Sequence, residues 1–153
     1  MLKGILAISG KPGLYKMITN AKNSIIVESL IDGKRMPAYA TSKISSLEDI
    51  SIFTFDGDMN LADVFARIFE QGIDINPKKA SANDLKSAFR EALPDYDEDR
   101  VYVSDIKKVF AWYNLLKEKE IITPESIEEL KKSNEADQEG SGEGEEEEDG
   151  SES

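Results

Sequence analysis

The stretch "SIIVESLIDGKRMPAYAT", residues 24–41, decides how the first third of the chain folds. Its two halves are rich in β-branched and aromatic residues, which suit the pleated, half-buried surface of a strand. Asp32-Gly33 stands between them, and Asp-Gly is a strong two-residue hairpin signal because both residues tolerate positive φ. Pro37 has no backbone N–H, so the second strand belongs at a sheet edge or a bulge. Working outward, "GILAIS" (4–9), "GLYKMIT" (13–19) and "ISIFT" (50–54) are three further apolar runs. Turn chemistry separates them: "SGKPG" (9–13) is a Gly/Pro turn and "TNAKNS" (19–24) a short hairpin connection. "SSLED" (45–49) reads as one helical turn, with Ser45 or Ser46 as its cap. Five short strands in a meander, with a helical turn before the fifth, predict a small SH3-like five-stranded β-barrel over residues 1–56. Barrels of that type host many unrelated functions, so the architecture alone does not deliver one.

Residues 57–132 change period from two to 3.6. In "LADVFARIFEQG" (61–72), Leu61, Val64, Phe65, Ile68 and Phe69 form one stripe, with Asn60 as cap and Gly72 as stop. "SANDLKSAFREALP" (81–94) opens with Ser81 and Asp84 in capping-box spacing and ends before Pro94. A third helix starts at Ser104 as cap, with Ile106, Val109, Phe110 and Tyr113 on one stripe widened by Trp112 and Leu116. A fourth, short helix begins at "TPESIEEL" (123–130), with Thr123 as cap and Pro124 at the first helical position. The fold class expected is α+β: the barrel, then a three- to four-helix segment, then a disordered acidic tail over residues 133–153. That tail contains no large apolar residue with which to offset chain entropy.

The chain has 153 residues, 39% of them hydrophobic, enough for a core. No apolar run approaches the ~18 residues of a membrane span, and the N-terminal run falls short of a signal peptide's ~7–15. A cytoplasmic setting is expected. Cysteine and histidine are both absent. That excludes disulfides, thiol nucleophiles, imidazole bases and Cys/His zinc sites. With no carboxylate pair or nucleophile-base set to be located, neither an enzyme nor a cofactor is expected. The net charge of −12 is unevenly spread. Residues 1–55 carry seven Lys/Arg against four Asp/Glu, residues 56–133 twelve against seventeen, and residues 134–153 none against ten.

Five features are candidate sites. Asp95, Asp97 and Asp99 in "LPDYDEDRVYVSDI" (93–106) alternate like the first three ligands of a calcium loop. Arg100 stands where the loop needs Gly, and Ile106 where it needs a bidentate Glu. A charged helix connection is therefore expected, with Arg100 paired to one of the aspartates. "GILAISGKP" carries Gly4 and Gly10-Lys11, but Pro12 stands where a phosphate-binding loop needs Ser or Thr. On the front segment, Lys11, Tyr15, Lys16, Lys34, Arg35, Tyr39 and Lys43 mix cations and aromatics, a combination that holds single-stranded RNA or a partner protein. Trp112 and Tyr113 are either core or a protein-partner surface, being residue types that dominate interfaces. The acidic tail is either solvating, or shields the basic front, or touches a basic partner.

The phrases "LKGILAISGKPGLYKMI", "IIVESL", "KRMPAYAT", "ISSLEDISIFT" and "DRVYVSDIKKVFAWYNLL" occur in this order over residues 2–118. Together they resemble an uncharacterised family of small proteins common in Bacteroidetes, with one domain of unknown function in front and a second at the C-terminal half. The resemblance implies a front domain, a helical follower and a cytoplasmic bacterial protein, and brings no catalytic residue or ligand. The expected function is a non-enzymatic adaptor that docks onto a protein partner or larger complex. The alternative is an RNA- or ribosome-associated module that uses the basic barrel face.

Overall fold

The computed structural model describes residues 2–11, 13–39 and 43–144. Among the described residues seven strands precede the α-helices: β1 (Ile5–Ile8), β2 (Tyr15–Ala21), β3 (Ser24–Ser29), β4 (Arg35–Tyr39), β5 (Ile44–Ser46), β6 (Ser51–Thr54) and β7 (Gly57–Asn60). The helices are α1 (Leu61–Glu70), α2 (Ala82–Ala92), α3 (Val103–Glu118) and α4 (Pro124–Gly144). The first five strands form an antiparallel sheet in the order β4-β3-β2-β1-β5. The chain is thus α+β, as expected, but the barrel is not. Among the described residues the two end strands, β4 and β5, do not pair, so the sheet stays open.

Two details explain the difference. The fifth strand of the sheet is not "ISIFT" but the three-residue β5, which lies ahead of the predicted helical turn instead of behind it. "ISIFT" becomes β6 and forms a separate hairpin with β7, through Ile52 opposite Met59. Thr54 tightens that hairpin: its hydroxyl donates to the Gly57 carbonyl at 2.6 Å and accepts from the Asp56 N–H at 3.2 Å. Residue 56, the boundary expected from the sequence, therefore sits inside a hairpin turn. The Asp32-Gly33 connection is also longer than two residues. Ser29 N–H donates to the Lys34 carbonyl, and the Asp32 carboxylate accepts from Lys34 N–H at 2.9 Å.

The sheet alternates between two cores. Leu6, Ile8, Tyr15, Val27 and Ala38 are buried on one face, with Ile25, Met36 and Ile44 against them. All belong to the sheet itself. Ile5 on the opposite face joins Leu14, Leu47 and Ile52 in the main core with Leu61, Phe65, Phe89, Phe110, Tyr113 and Leu116 of the helices. One core thus spans both segments.

The helices form where the 3.6 period places them. Ser81 Oγ accepts from Asp84 N–H at 3.1 Å at the start of α2. Thr123 and Ser126 cap α4 reciprocally, Ser126 N–H to Thr123 Oγ1 at 3.0 Å and Thr123 N–H to Ser126 Oγ at 2.9 Å. Two caps differ from expectation. Asn60 makes no side-chain capping bond because it is still part of β7. At α3 the cap position is Tyr102, not Ser104, and the Asp105 carboxylate accepts from Tyr102 N–H at 3.0 Å. α4 packs on α1 through the Lys131–Glu70 ion pair and through Asn134 Nδ2 donating to Asp63 Oδ1 at 2.9 Å. It continues past residue 132 to Gly144; the remainder of the expected tail, residues 145–153, lies outside the described residues. Among the described residues no helix is long and apolar enough to cross a membrane.

Candidate functional site

The acidic loop is structural. Phe55 N–H donates to the Asp95 carbonyl at 3.0 Å and Asp97 N–H to the Phe53 carbonyl at 2.9 Å, so residues 95–97 lie along β6. Tyr96 between them is buried and meets Phe89 edge-on at 4.9 Å between centroids. Arg100 Nε donates to Asp97 Oδ2 at 3.0 Å, and the guanidinium lies 4.1 Å from the Phe53 ring centroid. The expected pairing of Arg100 is thus with Asp97. That hydrogen bond is the main reason the Asp97 carboxyl sits below the usual carboxylate range. A cation already occupies the carboxylate that a metal would need.

The predicted basic face does not form as one surface. Alternation along β2 sends Tyr15 into the small sheet core, leaving 6% exposed, while Lys16 points to the other side. Lys16, Glu28 and Arg35 stand in one row across β2, β3 and β4, where Arg35 is paired with Glu28 at 3.1 Å. Tyr39 is exposed on that same side of β4, and Lys34 lies in the turn before it. Tyr113 is likewise not a surface residue. It is 2% exposed, 6.0 Å from Phe65 between ring centroids, and its hydroxyl pKa is raised by burial and then by Asp74. Position 113 shares the inward stripe of α3 with Ile106, Val109 and Phe110, so the helix period forces it into the core. Trp112, one position round the helix, is half-buried and opens to solvent.

What the structure does bring together is Lys11, Lys43 and Trp112. They line a cleft of about 530 Å³ between the β1/β5 end of the sheet and α3. Ala7 of β1 and Ala111 of α3 both line it, and two such small side chains leave room between sheet and helix. Lys11 is held in the turn after β1 by its N–H to the Ile8 carbonyl at 3.1 Å. Lys43 extends the β1–β5 ladder by accepting from Ser9 N–H at 2.9 Å, so both lysines leave from the same end of the sheet. Lys108 of α3 supplies a third cation, and among the described residues no carboxylate lines this cleft. Among the described residues none of the three lysines makes an ion pair.

A second hollow of about 310 Å³ continues the first past Trp112 and Lys108 toward Phe53 and Arg100. The two share Ser45, Ile50, Lys108 and Trp112, and form one groove along α3. Sequence reading missed Lys108. Its signal was the spacing of Lys108, Ala111, Trp112 and Leu115 at i, i+3, i+4 and i+7, a second stripe beside the core stripe. Among the described residues no group of three or more acidic side chains is placed to hold a metal ion.

A groove at the seam of a small antiparallel sheet and a helical segment, rimmed by lysines, defines a two-part protein with its candidate site between the parts. Comparison with known proteins divides it in the same way. Residues 2–47 match a domain of unknown function (DUF5606), and residues 50–116 match a second domain of unknown function (DUF6852). The solution NMR structure of a structural genomics target from Bacteroides vulgatus is 46% identical, with 80% of this chain and 90% of that chain covered and a TM-score of 0.68. The chain belongs to this Bacteroidetes family, in which the two domains of unknown function follow one another. Among curated proteins none matches the sequence. Lys11, Lys43 and Ser45 come from the first matched segment, Lys108 and Trp112 from the second, so the groove exists only where both are present.

Proposed function

We propose that this chain is a non-enzymatic cytoplasmic binding protein that docks onto a protein partner by holding an acidic segment of it in the groove along α3. The observation that carries this reading is the convergence of Lys11, Lys43 and Lys108 on one cleft, without an ion pair among the described residues, in a chain whose net charge is −12. Like charges gathered at one cleft repel one another, and an anionic ligand reverses the sign of that interaction. Trp112 and the aliphatic parts of Ala7, Ile50 and Leu115 give the cleft an apolar wall for the ligand's side chains. The overall acidity disfavours the phosphate backbone of RNA at long range, whereas a short acidic peptide needs only the local field.

A photo-crosslinking amino acid at Ala111, which lines the groove, tests the reading in cells. The expected product is a protein adduct whose cross-linked peptide is rich in Asp and Glu, and which disappears in the Lys11→Glu/Lys108→Glu double variant. An adduct that ribonuclease removes would instead assign the groove to RNA. An adduct unchanged by the charge reversals would overturn the acidic-ligand reading.

A further inference from the structure

Resting on the acidic-segment reading just given, we infer that the segment binds as an added β-strand along the open edge of β5, with alternate carboxylates facing the lysines. The edges of the five-stranded sheet are unequal. Ser29 N–H donates to the Lys34 carbonyl, so Val27↔Met36 and Ile25↔Ala38 are the hydrogen-bonded pairs between β3 and β4. Pro37 opposite Ile26 then lies at a non-hydrogen-bonded position, with its nitrogen turned to the outside of the sheet. A proline there closes the β4 edge to further pairing.

The β5 edge has no such block. Ser9 N–H donates to the Lys43 carbonyl, so Ala7↔Ser45 is a hydrogen-bonded pair and Ile8↔Ile44 is not. The main-chain N–H and C=O of Ile44 therefore point away from β1, and among the described residues they have no backbone partner. The Ile44 side chain lies in the small sheet core, while Ser45 turns to the groove. A strand laid against β5 takes up the same alternation, so every second side chain faces Lys43, Lys108 and Trp112, about 7 Å apart. The preferred ligand is thus extended, with carboxylates at i and i+2, which a helical ligand with i, i+4 spacing does not match.

A displayed library of random dodecapeptides, selected on the full chain and counter-selected on Lys11→Glu/Lys108→Glu, provides the probe. The expected enrichment is Asp or Glu at alternate positions. For an enriched peptide, N-methylation of alternate amides is expected to weaken binding by about tenfold or more, the scale of one or two lost main-chain hydrogen bonds. In the complex the Ile44 amide is expected to exchange with solvent about tenfold more slowly, a readout independent of any variant. An Ile44→Pro variant, copying at β5 what Pro37 does at β4, is expected to lose the peptide while retaining its fold. Acidic peptides that bind equally well after N-methylation and leave Ile44 exchange unchanged would overturn strand addition and leave the groove reading standing. No enrichment over the charge-reversed bait would overturn both.

Discussion

At the scale of single residues, the decisive events are choices of side. Tyr15 and Lys16 are neighbours in sequence, yet one closes a core and the other faces solvent, because a strand reverses direction at each residue. The alternation of Leu6 and Ile8, Tyr15, Ile25 and Val27, and Met36 and Ala38 is present in the sequence, and by itself it separates Tyr15 from Lys16. The same holds for Tyr113 against Trp112 under the helical period. The partner of Arg100 was only half legible: i, i+3 spacing points to Asp97, but the stacking of the guanidinium on Phe53 depends on β6 lying alongside. Asp97 titrates below the usual carboxylate range chiefly through this guanidinium, so its charge favours the folded state above the ordinary carboxylate pKa and ceases to do so as pH falls through the lowered value. In Arg100→Ala the Asp97 titration, followed by carboxyl-carbon NMR, is expected to move up to the ordinary range. The acid-side loss of stability then begins at higher pH than in the natural protein. An unmoved Asp97 midpoint would assign the depression to the backbone N–H groups of Asp99 and Arg100 instead.

At the scale of elements, the helices were legible and two strands were not. Stripes of apolar residues at 3.6 spacing are local signals, and Ser81 and the Thr123–Ser126 pair mark their starts with hydrogen bonds made within three residues. β5 is "ISS" and β7 is "GDMN", sequences with little intrinsic strand preference. What makes them strands is pairing, with β1 in one case and β6 in the other, and no local window contains the partner. The error in β5 is also what closed the expected barrel, since it put "ISIFT" into the sheet. Capping, by contrast, is open to a local test. Thr123→Ala removes the acceptor for Ser126 N–H and is expected to cost about 1 kcal/mol in urea unfolding, with Thr123→Ser retaining most of the stability. A loss confined to a few tenths would mean that packing of Ile127, and not the cap, holds the start of α4. Gly13 offers a second such case: its φ of +77° is a conformation that an L side chain strains, and a Cβ there would displace the Ile31 side chain.

At the scale of the whole molecule, the groove depends on two segments being one folding unit. Leu47 is fully buried, belongs to the first matched segment, and lies in the same core as Leu61, Phe65 and Tyr113 of the helices. The sequence separates these segments by period and charge, correctly as elements, but it holds no local trace of a core built between them. If the core is shared, weakening it from the sheet side must weaken the helices. Leu47→Ala empties a leucine site in a fully buried position and is expected to cost about 2–5 kcal/mol. Trp112 is the only tryptophan and stands on α3 where it faces the sheet across the groove, so its fluorescence reports on the helical segment and its seam with the sheet. Its unfolding midpoint is expected to fall with the substitution, in step with far-UV circular dichroism, as for a single cooperative transition. A Trp112 transition that keeps its natural midpoint would mean that the helices fold without the sheet. Lys108 and Trp112 would then be able to part from Lys11 and Lys43, and the groove would be a movable seam instead of a preformed site.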